Sequence, residues 1–148
     1  MKRLVAICGL LTLASPALAQ TVVDSDFSYV VTLPDGEEIG ESSTAVPYVR
    51  GVCYYWHLRL AKTKGPISVS EIFTVPAEPA SWGVGEDATI AVFDDKAAAT
   101  SPLSLTPEDG WIGHGWCLAK GDPKGAHSIE ILAGDTLLHR FDFTVDEL

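Results

Sequence analysis

The sequence predicts an all-β domain made of two antiparallel sheets packed face to face. Three observations predict it. Val52–Leu60 alternates strictly: Val52, Tyr54, Trp56, Leu58 and Leu60 share one phase, and Cys53, Tyr55, His57 and Arg59 the other. That is the period of a half-buried strand. Turn residues recur at short intervals, at Pro34-Asp35-Gly36, Lys64-Gly65-Pro66, Gly121-Asp122-Pro123-Lys124-Gly125 and Ala133-Gly134-Asp135, each supplying fixed or positive φ where a chain reverses. No stretch after the first twenty residues sustains an apolar face at the helical period.

The elements follow in chain order. Phe27–Leu33 alternates and stops at the Pro34-Asp35-Gly36 turn. Glu37–Thr44 is polar and reads as a loop or an edge strand. Val46–Gly51 leads into the Val52–Leu60 strand. Ile67–Val75 resumes the pattern, with Ile67, Val69, Glu71 and Phe73 opposed to Ser68, Ser70, Ile72 and Thr74, and Pro76 and Pro79 end it. Thr89–Phe93 is a further strand, Asp94-Asp95-Lys96 a turn, and Ala97–Ala99 the start of a helical turn that Thr100-Ser101-Pro102 cuts short. Trp111–Ala119, Ser128–Leu132 and Leu137–Val145 bring the count to about seven or eight strands, the last two joined by a tight hairpin.

The N-terminal segment addresses the compartment. Lys2 and Arg3 precede an apolar run, Leu4–Leu13, and Pro16-Ala17-Leu18-Ala19 offers small residues for cleavage. This pattern reads as a signal peptide over residues 1–19, leaving 20–148 as a single domain, periplasmic or secreted. The run is too short to span a bilayer, and the chain is not expected to be an integral membrane protein. Cys8 lies within the apolar run and not after it, which argues against a lipoprotein. The 148 residues carry 20 acidic and 10 basic side chains, a net charge of −10. Loss of Lys2 and Arg3 makes the mature chain more acidic still. A surface of that sign repels phosphate backbones, which excludes nucleic acid as a partner class.

With Cys8 removed, Cys53 and Cys117 remain, and an even pair in an exported chain predicts a disulfide. Its closed loop of about 65 residues is worth on the order of 4 kcal/mol in the chain-entropy account. Cys53 lies out of phase with Tyr54, Trp56 and Leu58. The bridge therefore reads as a staple between neighbouring strand ends, not one crossing the core between sheets.

Candidate chemistry is sparse. His57, His114, His127 and His139 show neither H-x-H nor H-x-x-x-H spacing, and there is no C-x-x-C or G-x-S-x-G. Glu108-Asp109 follows Pro107 and reads as a solvated turn. No catalytic residue and no cofactor is expected. A metal site is the alternative: the disulfide would bring His57 and His114 near one another, with Asp109 as a carboxylate ligand. Trp82 and Trp111 stand beside glycines in loops and are candidates for contact with a partner. In Gly110–Gly125, Gly113 and Gly115 permit close backbone passage, Cys117 pins the strand, and the Asp-Pro turn reverses it.

The stretch "VPYVRGVCYYWHLRLAKTKGPISVSEIFTVPAEP" and the tail "GWCLAKGDPKGAHSIEILAGDTLLHRFDFTV" resemble a family of bacterial exported immunoglobulin-like domains of unknown function. The shared features are an aromatic strand after a proline–glycine lead-in, a strand ending at proline, a Gly-Asp-Pro-x-Gly turn and a final F-x-F-x-V strand. The resemblance spans Val46–Val145 and implies an immunoglobulin-like sandwich with an accessory, exported character. It carries no catalytic residue. The expectation is a non-catalytic exported domain that binds a protein or other envelope partner. The alternatives are a metal-binding periplasmic domain and an inhibitor of an exported enzyme.

Overall fold

Alternation of burial along Val52–Ala61 and Ile67–Thr74 decides which side chains of these segments the two layers enclose. The computed structural model describes residues 20–82 and 89–147. The leader expected over residues 1–19 lies outside them. Ten strands are present among the described residues: β1 (Thr21–Thr32), β2 (Glu38–Ser42), β3 (Ala45–Pro47), β4 (Val52–Ala61), β5 (Ile67–Thr74), β6 (Ala91–Val92), β7 (Ala98–Leu105), β8 (Trp111–Cys117), β9 (Gly125–Ala133) and β10 (Thr136–Asp146). They form a four-stranded sheet, β2-β1-β4-β8, and a six-stranded sheet, β3-β10-β9-β5-β7-β6. No helix among the described residues is long and apolar enough to cross a membrane.

The core lies between the sheets. β1 and β4 contribute Phe27, Tyr54, Trp56 and Leu58; β5, β9 and β10 contribute Val69, Phe73, Ile129, Ile131, Phe141 and Phe143. Each such side chain stabilises the fold by about 1.5–3 kcal/mol on burial. Phe27 packs at a tilt against Phe143 with ring centroids 4.7 Å apart, and Tyr54 meets Phe143 at 5.0 Å. These contacts join the two layers.

Two features depart from the expectation. First, Ala98–Leu105 is a strand where a helical turn was expected, and it runs through Pro102. β6 pairs only with Ala99 and Thr100, so Pro102 lies where β7 has one open side and a missing N–H costs least. Second, β3 pairs with β10 in parallel, Val46 opposite Val145, so the six-stranded sheet is not wholly antiparallel. The polar segment after Gly36, expected as a loop or an edge strand, is an edge strand, β2, paired to β1 from Ser28↔Ser42 to Thr32↔Glu38. The count of ten exceeds the expected seven or eight because β7 stands where a helical turn was expected and β3, three residues long, is too short to leave an alternation in the sequence.

The disulfide joins Cys53 to Cys117 across 64 residues. They are directly opposed partners on neighbouring strands β4 and β8, on the face turned away from the core. The bridge staples one sheet and leaves the space between the sheets free.

Candidate functional site

β8 is the edge strand of the four-stranded sheet, and its register on β4 organises the Gly110–Gly125 stretch. Trp56 is opposite His114 and Tyr54 opposite Trp116, whereas His57 is opposite Gly113 and Tyr55 opposite Gly115. Residues opposed across a ladder share a face. His114 and Trp116 therefore point between the sheets with Trp56, while Tyr55 and His57 lie on the outer face.

On the inner face the three converge on one carboxylate. Glu71 of β5 is fully enclosed, with 0% of its surface exposed. Trp56 Nε1 donates to Glu71 Oε2 at 2.5 Å, and Trp116 Nε1 donates to Oε1 at 2.7 Å. His114 Nδ1 lies 3.2 Å from Oε2, and with its proton on Nδ1 it is a third donor. A carboxylate taken out of water is tolerated only when its lone pairs are filled. Here two indoles and an imidazole fill them. The cluster ties the edge of one sheet to an interior strand of the other through hydrogen bonds.

On the outer face the glycines admit the rings. A Cβ at Gly115 would stand 2.2 Å from the Tyr55 ring, and one at Gly113 would stand 2.6 Å from the His57 ring. Both side chains thus lie flat over the edge strand. The strand is entered from a two-residue hairpin, Asp109-Gly110, with φ of 49° and 85°. Glu108 and Trp111 exchange hydrogen bonds of 2.9 and 2.8 Å around it. Positive φ at both central residues is the hairpin turn that Asp-Gly favours.

The residues of the alternative metal site do not converge: His57 and His114 border one open recess, and Asp109 is not on its lining. His57 faces outward and His114 inward, because the register places each one position away from the other's partner. Asp109 is held in the hairpin turn. Among the described residues no three His, Cys, Asp or Glu side chains are arranged to hold a metal ion. His114 keeps a third of its side chain exposed. It lines an open recess of about 410 Å³ with Tyr55, His57 and Glu108.

The two candidate contact tryptophans are both half-buried. Trp82 packs edge-on against Phe73, ring centroids 5.9 Å apart, and donates to the Lys96 carbonyl at 3.3 Å. Its other surface lines a recess of about 460 Å³ with Pro79, Val92 and Phe93. Trp111 lies opposite Arg59 on the outer face of the four-stranded sheet.

At the end of the sandwich near Trp82, Tyr54 and His127 are buried to 3% and 4% exposure. Burial holds the Tyr54 phenol well above its ordinary range, with the negative charge of Asp122 adding to the effect. Burial also pushes the His127 imidazole down, while a hydrogen bond to the Gly125 carbonyl and the charge of Asp122 push the other way. His127 Nδ1 is 2.9 Å from that carbonyl, so Nδ1 carries a proton and Nε2 is the free lone pair.

Sequence reasoning missed Glu71. The signal was present: a single carboxylate in phase with Ile67, Val69 and Phe73 on an apolar strand face requires buried donors.

The arrangement of strands and turns fits one family, the PM0630 beta sandwich domain, whose pattern matches residues 25–146. The chain belongs to that family. A PM0630 beta sandwich domain has a structural likeness in the crystal structure, at 1.50 Å, of an immunoglobulin-like protein from Pseudomonas aeruginosa. The TM-score is 0.52 at 14% identity, covering 88% of this chain and 99% of that one. The likeness shows the fold: an immunoglobulin-like sandwich. The alkylpurine DNA glycosylase AlkC of Pseudomonas fluorescens, bound to DNA containing an abasic-site analogue, aligns with a TM-score of 0.33 at 10% identity. That alignment covers 82% of this chain and 30% of that one. No curated protein matches the sequence.

Proposed function

We propose that this PM0630 beta sandwich domain is an exported, non-catalytic module of the periplasm or cell exterior that binds a protein partner in the cell envelope. The observation that carries the reading is the division of labour around the two sheets. The side chains best suited to chemistry are committed to the fold. Glu71 is enclosed by Trp56, Trp116 and His114, and Cys53 and Cys117 are bonded to each other. Apolar side chains, by contrast, are offered to solvent beside Trp82: Val92 is 44% exposed and Phe93 41%. Neighbouring apolar residues left in water at a recess are the signature of a contact surface. The basic-then-apolar start of the sequence and the disulfide support the exported setting.

The test is affinity capture from an envelope fraction with the mature chain and with Phe93→Asp. Phe93 stands outside the core cluster, so the variant keeps its melting temperature. The expected result is a stoichiometric partner retained by the wild type and lost by the variant. Equal capture by both proteins overturns the reading. So does hydrolytic or redox turnover by purified protein that a point substitution abolishes.

A further inference from the structure

A third recess opens at the end of the sandwich, where β4, β5, β8 and β9 meet the Gly121–Gly125 turn. It encloses about 50 Å³ and is lined by Tyr54, Phe73, Trp82, Trp116, Asp122 and His127 among others. On the same measure one water needs roughly 10–15 Å³, so the space suits the head of a small ligand and not a sugar ring.

The polar atoms around it are unusual. Tyr54 Oη, His127 Nε2 and Asp122 Oδ1 have no hydrogen-bond partner among the described residues. Among the described residues no fully enclosed side-chain polar atom lacks a partner. These three therefore keep access to the recess that their side chains line. Two of them belong to residues more than nine-tenths buried, where an unfilled hydrogen bond is costly. All three atoms accept: a phenol oxygen, a neutral imidazole nitrogen and a carboxylate oxygen. Asp122 is the one charged group on the lining, and its charge acts on both Tyr54 and His127. Phe73, Trp82 and Trp116 form the aromatic part of the remaining wall, beside Val75, Pro79 and Pro123. Phe73 stands 5.2 Å from Trp116, 5.9 Å from Trp82 and 6.1 Å from Tyr54, centroid to centroid.

We propose that this recess binds a primary ammonium group, with its three N–H donors directed to Tyr54 Oη, His127 Nε2 and Asp122 Oδ1 and its alkyl stem against the Phe73, Trp82 and Trp116 rings. A carboxylate within an aromatic wall attracts a cation through both charge and ring quadrupoles. Three acceptors match an R–NH₃⁺ group, whereas a quaternary ammonium has no N–H to give. The chain's net charge of −10 favours cation approach. The ammonium belongs either to a free alkylamine or to a lysine side chain. The proposal stands apart from the partner-binding surface, since its test uses the amine or peptide alone.

The experiment is an NMR titration of the oxidised mature chain that follows the tryptophan indole N–H signals. The probes are n-propylammonium, a capped Gly-Lys-Gly peptide, tetramethylammonium and 1-propanol. The expected result is saturable binding of propylammonium, the lysine peptide or both in the millimolar range, with 1-propanol and tetramethylammonium at least tenfold weaker. Binding of the amine alone identifies a free amine as the ligand. Binding of the peptide identifies a lysine side chain. Asp122→Asn keeps an oxygen to accept from the Ala119 N–H, a bond of 2.8 Å in the wild type. The variant is expected to fold and to lose at least tenfold in affinity. Tyr54→Phe removes only Oη and is expected to weaken binding severalfold. Absence of saturable binding overturns the proposal, as does equal binding of 1-propanol or tetramethylammonium, or wild-type affinity in Asp122→Asn.

Discussion

Glu71→Leu tests what the buried carboxylate does. In the wild type its two oxygens take the indole protons of Trp56 and Trp116 and face His114 Nδ1. Leucine is close in size and apolar, so the substitution deletes the acceptors while filling most of the space. Trp56 has 0% exposure, and its orphaned N–H has no route to water. Each buried donor left without a partner costs about 1–3 kcal/mol. Removing one member of a buried charged network costs about 3–5 kcal/mol in other proteins. Two indoles give a comparable range, and the expected loss is therefore about 3–5 kcal/mol. Glu71→Gln keeps one acceptor and turns an amide NH₂ toward a donor, so its expected loss is smaller, about 1–3 kcal/mol. The assay is urea denaturation followed by tryptophan fluorescence and far-ultraviolet circular dichroism, with coincident curves required before a free energy is extracted. The ranking wild type, Gln, Leu is the prediction. A Glu71→Leu chain as stable as the wild type would refute the bracing role and would mark the carboxylate as retained for a task other than stability.

Replacing Cys53 and Cys117 by serine opens the closed loop of 64 residues and is expected to cost about 4 kcal/mol in urea denaturation without loss of the β-sheet circular dichroism spectrum under native conditions. Gly115→Ala places a methyl against the Tyr55 ring and the Tyr54 carbonyl; a loss of about 1–3 kcal/mol is expected, with only the ring's part recovered in Gly115→Ala/Tyr55→Ala. The His127 imidazole is pushed below its ordinary value of 6.5 by burial, so below about pH 6.5 the unfolded chain takes up a proton that the folded chain refuses. Stability from this group is present above that pH and is lost as pH falls toward the lowered folded value. Denaturation midpoints at pH 7.5 and 5 should show the decline, and His127→Asn, whose amide can still donate to the Gly125 carbonyl, should flatten it.

Much of the frame was legible in the sequence. The alternation of Val52–Leu60 assigned the inner and outer faces of β4 correctly, because a strand's period of two depends only on local geometry. The same alternation placed Cys53 on the outer face, away from the core, which made a staple between neighbouring strands the natural bridge. The Gly-Asp-Pro-Lys-Gly turn carries positive φ at Gly121 and Gly125, a property of glycine itself. Pro102 misled, since a breaker in one strand environment is harmless at an open edge.

The cluster and the recess were decided elsewhere. Glu71 is 43 and 45 residues from His114 and Trp116, and periodicity names the face of a strand but not what stands across the gap between sheets. That pairing depends on how the two layers are laid on one another. The separation of His57 from His114 was likewise set by the register of β8 on β4, where a slip of one residue would have exchanged the faces. Local sequence thus determined most of the long strands, the turns between them and the outward placement of Cys53, since each follows from backbone preference and alternation. Only the tertiary packing decided which buried donors met which acceptors, because those contacts are made between elements that no local preference links.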